Sequence, residues 1–312
     1  MDARPPIDGR LSSGASMTAT NSDRVLYARA FITDRDLCLL EWLHDHQTLT
    51  LEQVTAALYD SRRAASERLL RLHRLGILDR FRYTTSGRKT MYSLLGRLGA
   101  EVVAAQRGDP TPRAAEVIAR QRRIAMSPYL AHLHGVNQFF IDLIAHARHT
   151  PDAGMMRWWS ERQCAEPLRF GSVSMHRVRA DGHGIYAEGQ RRIAFFLEYD
   201  RDTESVPQLL DKVKRYEQLT AQGGPAWPVL FFLPNRARER QLHQQLGRRL
   251  IATPVATATR EALRTDLCVA DGIWLPVGMQ ERPYRLIELD TFSDPADDAA
   301  LARLDRRPFT QR

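Results

Sequence analysis

Residues 61–95 read SRRAASERLLRLHRLGILDRFRYTTSGRKTMYSLL, and their spacing decides the architecture of the first third of the chain. Ala65, Leu69 and Leu72 recur at i, i+4 and i+7 and so share one helical face. The pattern predicts a helix over 61–75, capped by the Ser61 hydroxyl and stopped by Gly76. At about 100° per residue the opposite face holds Arg63, Glu67, Leu70, Arg71 and Arg74. Two short extended runs follow, 77–83 and 90–95. The polar stretch 84–89 between them, with Gly87 as its one glycine, reads as the turn of a hairpin with a basic tip.

Upstream, Thr33 and Asp36 form a capping box before Leu37, Leu39, Leu40, Trp42 and Leu43. Thr50 caps a second, shorter helix carrying Leu51, Val54, Ala57 and Leu58. Three helices followed by a basic-tipped hairpin is the order of a winged helix-turn-helix, in which the third helix enters a major groove and the hairpin touches flanking phosphates. The phrase Leu69, Leu72, Leu75-Gly76-Ile77-Leu78 is frequent at this point of such modules. Arg62, Arg63, Arg71 and Arg74 on the helix, with Arg88 and Lys89 on the hairpin, are the expected DNA contacts. The rival use of the same fold is protein contact.

Charge is placed to match. The 312 residues carry 45 Lys+Arg against 37 Asp+Glu, a net charge of +8. Residues 1–126 hold 20 basic and 14 acidic residues (+6), and 127–312 hold 25 and 23 (+2). Residues 61–90 alone have nine basic residues against Glu67 and Asp79, a footprint for a polyanion. The alternative is a solvated face in an arginine-rich proteome, since all basic residues but Lys89, Lys212 and Lys214 are arginines. No apolar run approaches the ~20 residues of a membrane span, and no signal peptide opens the chain. Cys38, Cys164 and Cys268 are widely spaced and form no CxxC, which argues against a disulfide framework or a zinc ribbon. The expected setting is the cytoplasm, without membrane contact.

Residues 1–23, with Pro5, Pro6, Gly9 and Gly14, lack periodicity and read as a disordered tail. The winged helix is expected over 24–110, closed by the Gly108-Asp109-Pro110-Thr111-Pro112 break. A bridging helix and linker take 111–128, an α/β domain 129–290, and a tail 291–312. Within the α/β domain a helix over 129–148 carries His132, His134, His146 and His149, of which His134 is singled out for function. A strand over 155–160 ends at Glu161, and an extended run over 173–180 delivers Asp181. A polar loop through His183 and Glu188 precedes a buried strand at 193–197, which ends in Glu198-Tyr199-Asp200-Arg201. A helix with Leu209, Leu210, Val213 and Tyr216 follows, then a strand at 229–233, a helix over 236–250, and strands near 255–258 and 273–277. The class is α+β or α/β, with a small mixed sheet.

Asp181, Glu198 and Asp200, with Glu161, are the chemical candidates. Glu198 and Asp200 stand at i, i+2 and point to the same side of a strand. Hard oxygen ligands from separate segments suit Mg²⁺ or Mn²⁺, which would polarise a phosphodiester and activate a water. The alternative is that these acids pair with Arg179, Arg201 or Lys212, or are solvated.

With both halves read, the chain resembles the replication-relaxation family of actinobacterial and Firmicute plasmids and integrative conjugative elements. The residues that carry the resemblance span about 31–290: the winged helix, His134-Gly135-Val136-Asn137, residues 158–161, Arg179-Ala180-Asp181-Gly182, residues 196–204, residues 209–216 with Lys212, and Trp274-Leu275-Pro276. The resemblance implies association with plasmid replication and transfer. The second domain is also similar to the PD-(D/E)XK nuclease fold, whose core runs helix, three strands, helix, strand. That likeness implies Glu161 as the acid near the first core strand, Asp181 as the metal-binding aspartate and Glu198 as the first acid of the (D/E)XK element. Ala180 replaces the motif's proline and Asp200 its water-orienting lysine. Lys212 is then the migrated lysine, and Asp181, Glu198 and Lys212 the catalytic set of an active enzyme. The expected function is a DNA-binding protein of a mobile element, acting in replication or transfer, with a nuclease-like domain that either acts on that DNA or holds it without cleavage. The rivals are a transcriptional regulator with a dimerisation or ligand domain and a Mg²⁺-dependent endonuclease. Expected partners are double-stranded DNA of the element, other replication or transfer proteins, and a second copy of the chain.

Overall fold

A computed structural model describes residues 25–26, 28–85, 88–165, 178–279 and 282–292, with the side chains of 85, 88, 264, 265 and 290–292 outside that description. Helix α1 (Asp34–Asp45) starts with the expected capping box: Asp36 Oδ2 accepts the Thr33 N–H at 2.8 Å, and the Thr33 hydroxyl accepts the Asp36 N–H at 3.3 Å. Strand β1 (Leu49–Thr50) leads into α2 (Leu51–Leu58), where Thr50 and Gln53 form a second box. The Ser61 hydroxyl accepts the Ala64 N–H to open α3 (Arg62–Arg74), and Gly76, at φ +70°, stands just beyond its end. Ala65, Leu69 and Leu72 are the buried residues of α3, as their spacing requires.

Strands β2 (Leu78–Thr85) and β3 (Arg88–Leu95) form the hairpin, and β1 joins the outer edge of β3 in a three-stranded antiparallel sheet. The hairpin is longer than expected. Pairing continues through Thr84↔Lys89 and Thr85↔Arg88, so the strands extend into the stretch read as a turn. Thr84, Thr85 and Thr90 are polar but β-branched, and branching suits a strand. Helices α4 (Arg97–Arg107) and α5 (Ala114–Ala125) flank the Gly108 break.

Helix α6 (Leu130–His149) precedes a six-stranded mixed sheet of order β4-β5-β6-β7-β8-β9. Strands β4 (Ala153–Ser160), β5 (Gly182–Glu188) and β6 (Arg191–Tyr199) are an antiparallel meander. Strands β7 (Val229–Leu233) and β8 (Val255–Thr259) add in parallel, and β9 (Leu275–Pro276) closes the edge antiparallel. Helix α7 (Glu161–Ala165) follows β4, α8 (Val206–Ala221) links β6 to β7, and α9 (Arg236–Leu246) links β7 to β8. The class is therefore α+β, with a three-stranded sheet and a six-stranded mixed one.

Strand β5 lies where a polar loop was expected, and Asp181 precedes that strand instead of ending one. Of the expected strand at 173–180, residues 173–177 lie outside the described residues and 178–180 are not in a strand. The sequence GHGIYAE hides β5 because packing there demands glycine. A Cβ on Gly184 would stand 2.5 Å from Phe195 Cζ and 2.9 Å from Phe140 Cε1. The last strand shrinks to two residues, with Trp274 bridging Tyr284, and α9 ends at Leu246, short of 250.

One continuous apolar core joins the first helices to the sheet through α6: Leu39, Leu43 and Val54 pack in one cluster with Phe139, Phe140 and Trp158. The His46 ring stacks on Trp158 with centroids 3.6 Å apart. Buried Asn137 donates Nδ2 to the carbonyls of His46 (3.1 Å) and Thr48 (2.9 Å), so a side chain of α6 satisfies the backbone that enters β1. A second cluster sets Leu209, Val213 and Tyr216 of α8 and Leu242 of α9 against Phe196, Phe231 and Leu233. Burial on both faces explains the unbroken apolar runs of β6 and β7. Among the described residues no helix is long and apolar enough to cross a membrane.

Candidate functional site

Gly182 pairs with Leu197, which sets Asp181 beside the carboxyl end of β6. Asp181 Oδ2 accepts the Tyr199 N–H at 2.8 Å, and Oδ1 lies 3.0 Å from His132 Nε2 on α6. Glu198 is buried. Its Oε2 accepts from Lys212 Nζ at 2.8 Å and its Oε1 from the Tyr216 hydroxyl at 2.6 Å. Lys212 and Tyr216 stand four residues apart on α8 and so reach the same point. Lys212 Nζ is also 2.9 Å from Glu204 Oε2. Burial, and then the charge of Asp181, push the Glu198 carboxyl up to about 7. Burial alone would lower Lys212, but Glu198, Asp181 and Glu204 outweigh it and hold the ammonium charged.

Asp200 has separate partners. Its Oδ2 accepts from Arg238 Nε of α9, and its Oδ1 accepts the Asp202 N–H at 2.8 Å. Glu161 does not join the group; it lies 3.9 Å from Arg179, both side chains well exposed. The structure thus brings Asp181, Glu198 and Lys212 together and gives Asp200 and Glu161 to other cations. Each of the six oxygens of Asp181, Glu198 and Asp200 has a protein donor within 3.0 Å. Among the described residues no group of three or more His, Cys, Asp or Glu side chains is placed to hold a metal ion. Mg²⁺ or Mn²⁺ would have to compete with Lys212, Tyr216, His132 or Arg238 for these oxygens.

His132, Tyr216 and Arg238 escaped the sequence reading as partners of the acids. His134, the histidine singled out there, instead sets its ring edge-on to Tyr92 of the hairpin at 5.8 Å. Two residues on a helix differ by about 200°, so only one of the two histidines can face the sheet end. A signal was present: His132 precedes Val136 by four and Phe139 by seven, which places it on the apolar stripe. Tyr199, from the Glu-Tyr-Asp-Arg phrase, packs over Gly135, from the His-Gly-Val-Asn phrase; a Cβ on Gly135 would stand 2.3 Å from the ring. Its other neighbours are His132 at 5.9 Å, Phe232 at 5.9 Å and the Arg260 guanidinium at 4.7 Å.

His132 gives the site a pH dependence. Burial would lower its pKa, and so would the Lys212 and Arg201 charges, but Asp181 outweighs them and raises it. The stability from this pair is fully present below the unfolded value of about 6.5 and is lost as pH rises through the higher folded-state value. Asp142, pushed up to about 6 by burial, changes below that window, whereas Glu198 at about 7 changes within it, so the difference between wild type and His132→Gln is what reports the pair. Urea midpoints should therefore fall across neutrality in the wild type, and less steeply in His132→Gln. Parallel curves would show that the pair contributes nothing.

On the opposite part of the chain, Arg62, Arg63, Arg71 and Arg74 of α3 are all exposed. Arg62–Glu52 (3.3 Å) and Arg63–Glu67 (2.8 Å) are exposed pairs of the weak kind. Arg68 turns inward to Asp36 and the Phe31 carbonyl. Lys89 is exposed, and the cross-strand register places it on the same hairpin face as Arg80 and Arg82, also exposed. Arg88 pairs with Thr85 through its backbone, and its side chain is among those outside the description.

None of the curated proteins compared with the chain matches it. The profile of the family described as replication-relaxation matches residues 40–235, more than half of the 312. That stretch runs from α1 through β7 and contains α3, the hairpin, Gly135, Asp181, Glu198, Tyr199, Lys212 and Tyr216. The chain therefore belongs to the replication-relaxation family.

Proposed function

We propose that the chain binds double-stranded DNA of a plasmid or integrative mobile element through α3 and the β2–β3 hairpin, and holds that DNA during replication or transfer. Family membership supports a role in the replication of such an element. The observation that carries the DNA reading is the exposure of Arg62, Arg63, Arg71 and Arg74 on α3 together with that of Arg80, Arg82 and Lys89 on one face of the hairpin. In this proposal residues 24–110 are a winged helix-turn-helix, 111–128 a linker and 129–290 a nuclease-like domain, acting in the cytoplasm with other replication or transfer proteins and as a homodimer. What supports the nuclease-like reading is the order α6, β4, β5, β6, α8, β7, interrupted by the short α7 between β4 and β5, which is similar to the helix, three strands, helix, strand order of the PD-(D/E)XK core. The proposal keeps that fold for holding DNA without cutting it. Lys212 is tied to Glu198 and Glu204 and so is poorly placed to orient a water. Asp181, Glu198 and Lys212 then act as an internal charge network, and DNA is held without Mg²⁺ or Mn²⁺.

The test is binding of origin-region DNA from the host element across a salt series. Wild-type affinity should fall steeply with salt. Arg71→Ala, Arg74→Ala and the Arg88→Ala/Lys89→Ala pair should weaken binding to every sequence, each lost phosphate contact reducing the salt slope by about one. Arg62→Ala and Arg63→Ala, near the amino end of α3, should relax sequence preference where they read base edges. Unchanged affinity in all of these variants would end the DNA assignment. Binding confined to promoters would favour a regulator, and Mg²⁺-dependent nicking an endonuclease.

A further inference from the structure

The loop after α4, with Pro110 and Pro112, covers a cavity of about 240 Å³ that the DNA-binding surface does not use. Its walls are apolar on most sides: Leu43 of α1, Leu94 and Leu95 of β3, Ala100 and Ala104 of α4, and Val117 and Ile124 of α5. An apolar cavity of about 150 Å³ accepts benzene, so this one has room for a substituted ring or a short acyl chain. Two of its wall positions are alanines, which leave the space open where a leucine would fill it.

Three charged side chains, Arg120, Asp109 and Glu116, line this otherwise apolar space. Arg120 of α5 lines the cavity and donates through its NH2 group to the His44 carbonyl. No carboxylate lies within ion-pair distance of it among the described residues. Glu41 and Asp45, the acids on this end of α1, are both held by Arg107. Glu116, also in the wall, is turned onto the Arg113 N–H. Burial and the charges of Arg162, Arg107 and Arg123 act on Arg120 in the same direction, against Asp45 alone, and pull its pKa down. A guanidinium in that setting is a poor neighbour for a cation and a ready partner for a carboxylate, which it can grip with two parallel N–H donors.

We propose that this cavity is a binding site for a small amphipathic monocarboxylate, with the apolar body among Leu43, Leu95, Ala104 and Ile124 and the carboxylate on Arg120. The inference is independent of the DNA-binding reading. Because the walls come from α1, β3, α4 and α5 together, an occupant would clamp α5 onto the three-stranded sheet.

The full-length chain should be titrated by NMR and calorimetry with 3-phenylpropanoate, and in parallel with 3-phenylpropan-1-ol and 3-phenylpropylamine. Saturable binding of one carboxylate per chain is expected, with the alcohol weaker by about tenfold, the value of one charge-assisted contact, and the amine weaker still. Arg120→Gln should reduce the carboxylate to the affinity of the alcohol and leave the alcohol unchanged. Ala104→Phe should fill the cavity and abolish binding of both; if it fails to fold, the Arg120→Gln series decides alone. No saturable binding of the carboxylate, equal binding of carboxylate and amine, or an Arg120→Gln chain that binds the carboxylate as the wild type does would each overturn the assignment.

Discussion

Glu198→Ala is expected to lower the free energy of unfolding by about 3 kcal/mol, because it leaves a charged lysine and a tyrosine hydroxyl in the core without their acceptor. Breaking a buried ion pair from one side costs about 3–5 kcal/mol. The lower end applies because Lys212 keeps 21% of its side-chain surface and has Glu204 at 2.9 Å as a second partner. Lys212→Met acts through the other half of the pair. Lys212 holds the Glu198 pKa down, so in this variant the carboxyl rises above its wild-type value of about 7 and at acid pH takes up a proton, which avoids an unpaired charge. That variant should therefore be milder at acid pH than at alkaline pH. The double variant Glu198→Ala/Lys212→Met should recover part of the sum of the two single losses, and urea denaturation measures all three. A Glu198→Ala loss under about 0.5 kcal/mol, the range of an ordinary surface change, would show that the network is not formed. Millimolar Mg²⁺ or Mn²⁺ should leave the wild-type melting temperature where it is. A rise that disappears in Asp181→Ala and Glu198→Ala would establish a metal site in place of the charge network.

Legibility in the sequence followed the physics of each element. Helix starts were readable because Thr33, Thr50 and Ser61 are local caps whose partners lie three residues on. Strands β6 and β7 were readable because both of their faces are buried, so their apolar runs carry the signal without context. Strand β5 was not, since Gly182 and Gly184 are set by the distant rings of Phe140 and Phe195, and no neighbour in sequence announces them. The same distinction holds at the site. Glu198 was legible as a residue at the end of a buried strand, whereas Asp181 was read as ending a strand and instead precedes β5. What neutralises each acid was open, because Lys212, Tyr216 and Arg238 arrive from helices 14, 18 and 38 residues further along the chain. Asp200 illustrates the limit. Its i, i+2 spacing from Glu198 directs it to the helix-covered side of the sheet, and only the approach of α9 decides that Arg238 claims it.

The contact between Gly135 and Tyr199 ties the two most distinctive phrases of the chain together, and it gives a second large effect whose sign is diagnostic. A glycine inside a helix is less favourable than alanine by about 1 kcal/mol, so propensity alone would make Gly135→Ala stabilising. The structure predicts the reverse. A Cβ there would meet three atoms of the Tyr199 ring at 2.3, 2.4 and 2.5 Å. The ring has Phe232, His132 and Arg260 as its other neighbours, which leave it little room to retreat. Overpacking of this kind costs about 1–3 kcal/mol, occasionally more, and the close fit puts Gly135→Ala at a net loss of about 2–3 kcal/mol. Displacing the ring also moves the Tyr199 N–H that Asp181 accepts, so the variant should flatten the pH dependence assigned to His132 and Asp181. The decisive measurement is Gly135→Ala in a Tyr199→Ala background. With the ring gone the clash is gone, and the substitution should turn stabilising by about 1 kcal/mol, its helix-propensity value. An equal loss in both backgrounds would place the strain in the backbone of α6 and remove Tyr199 from the account.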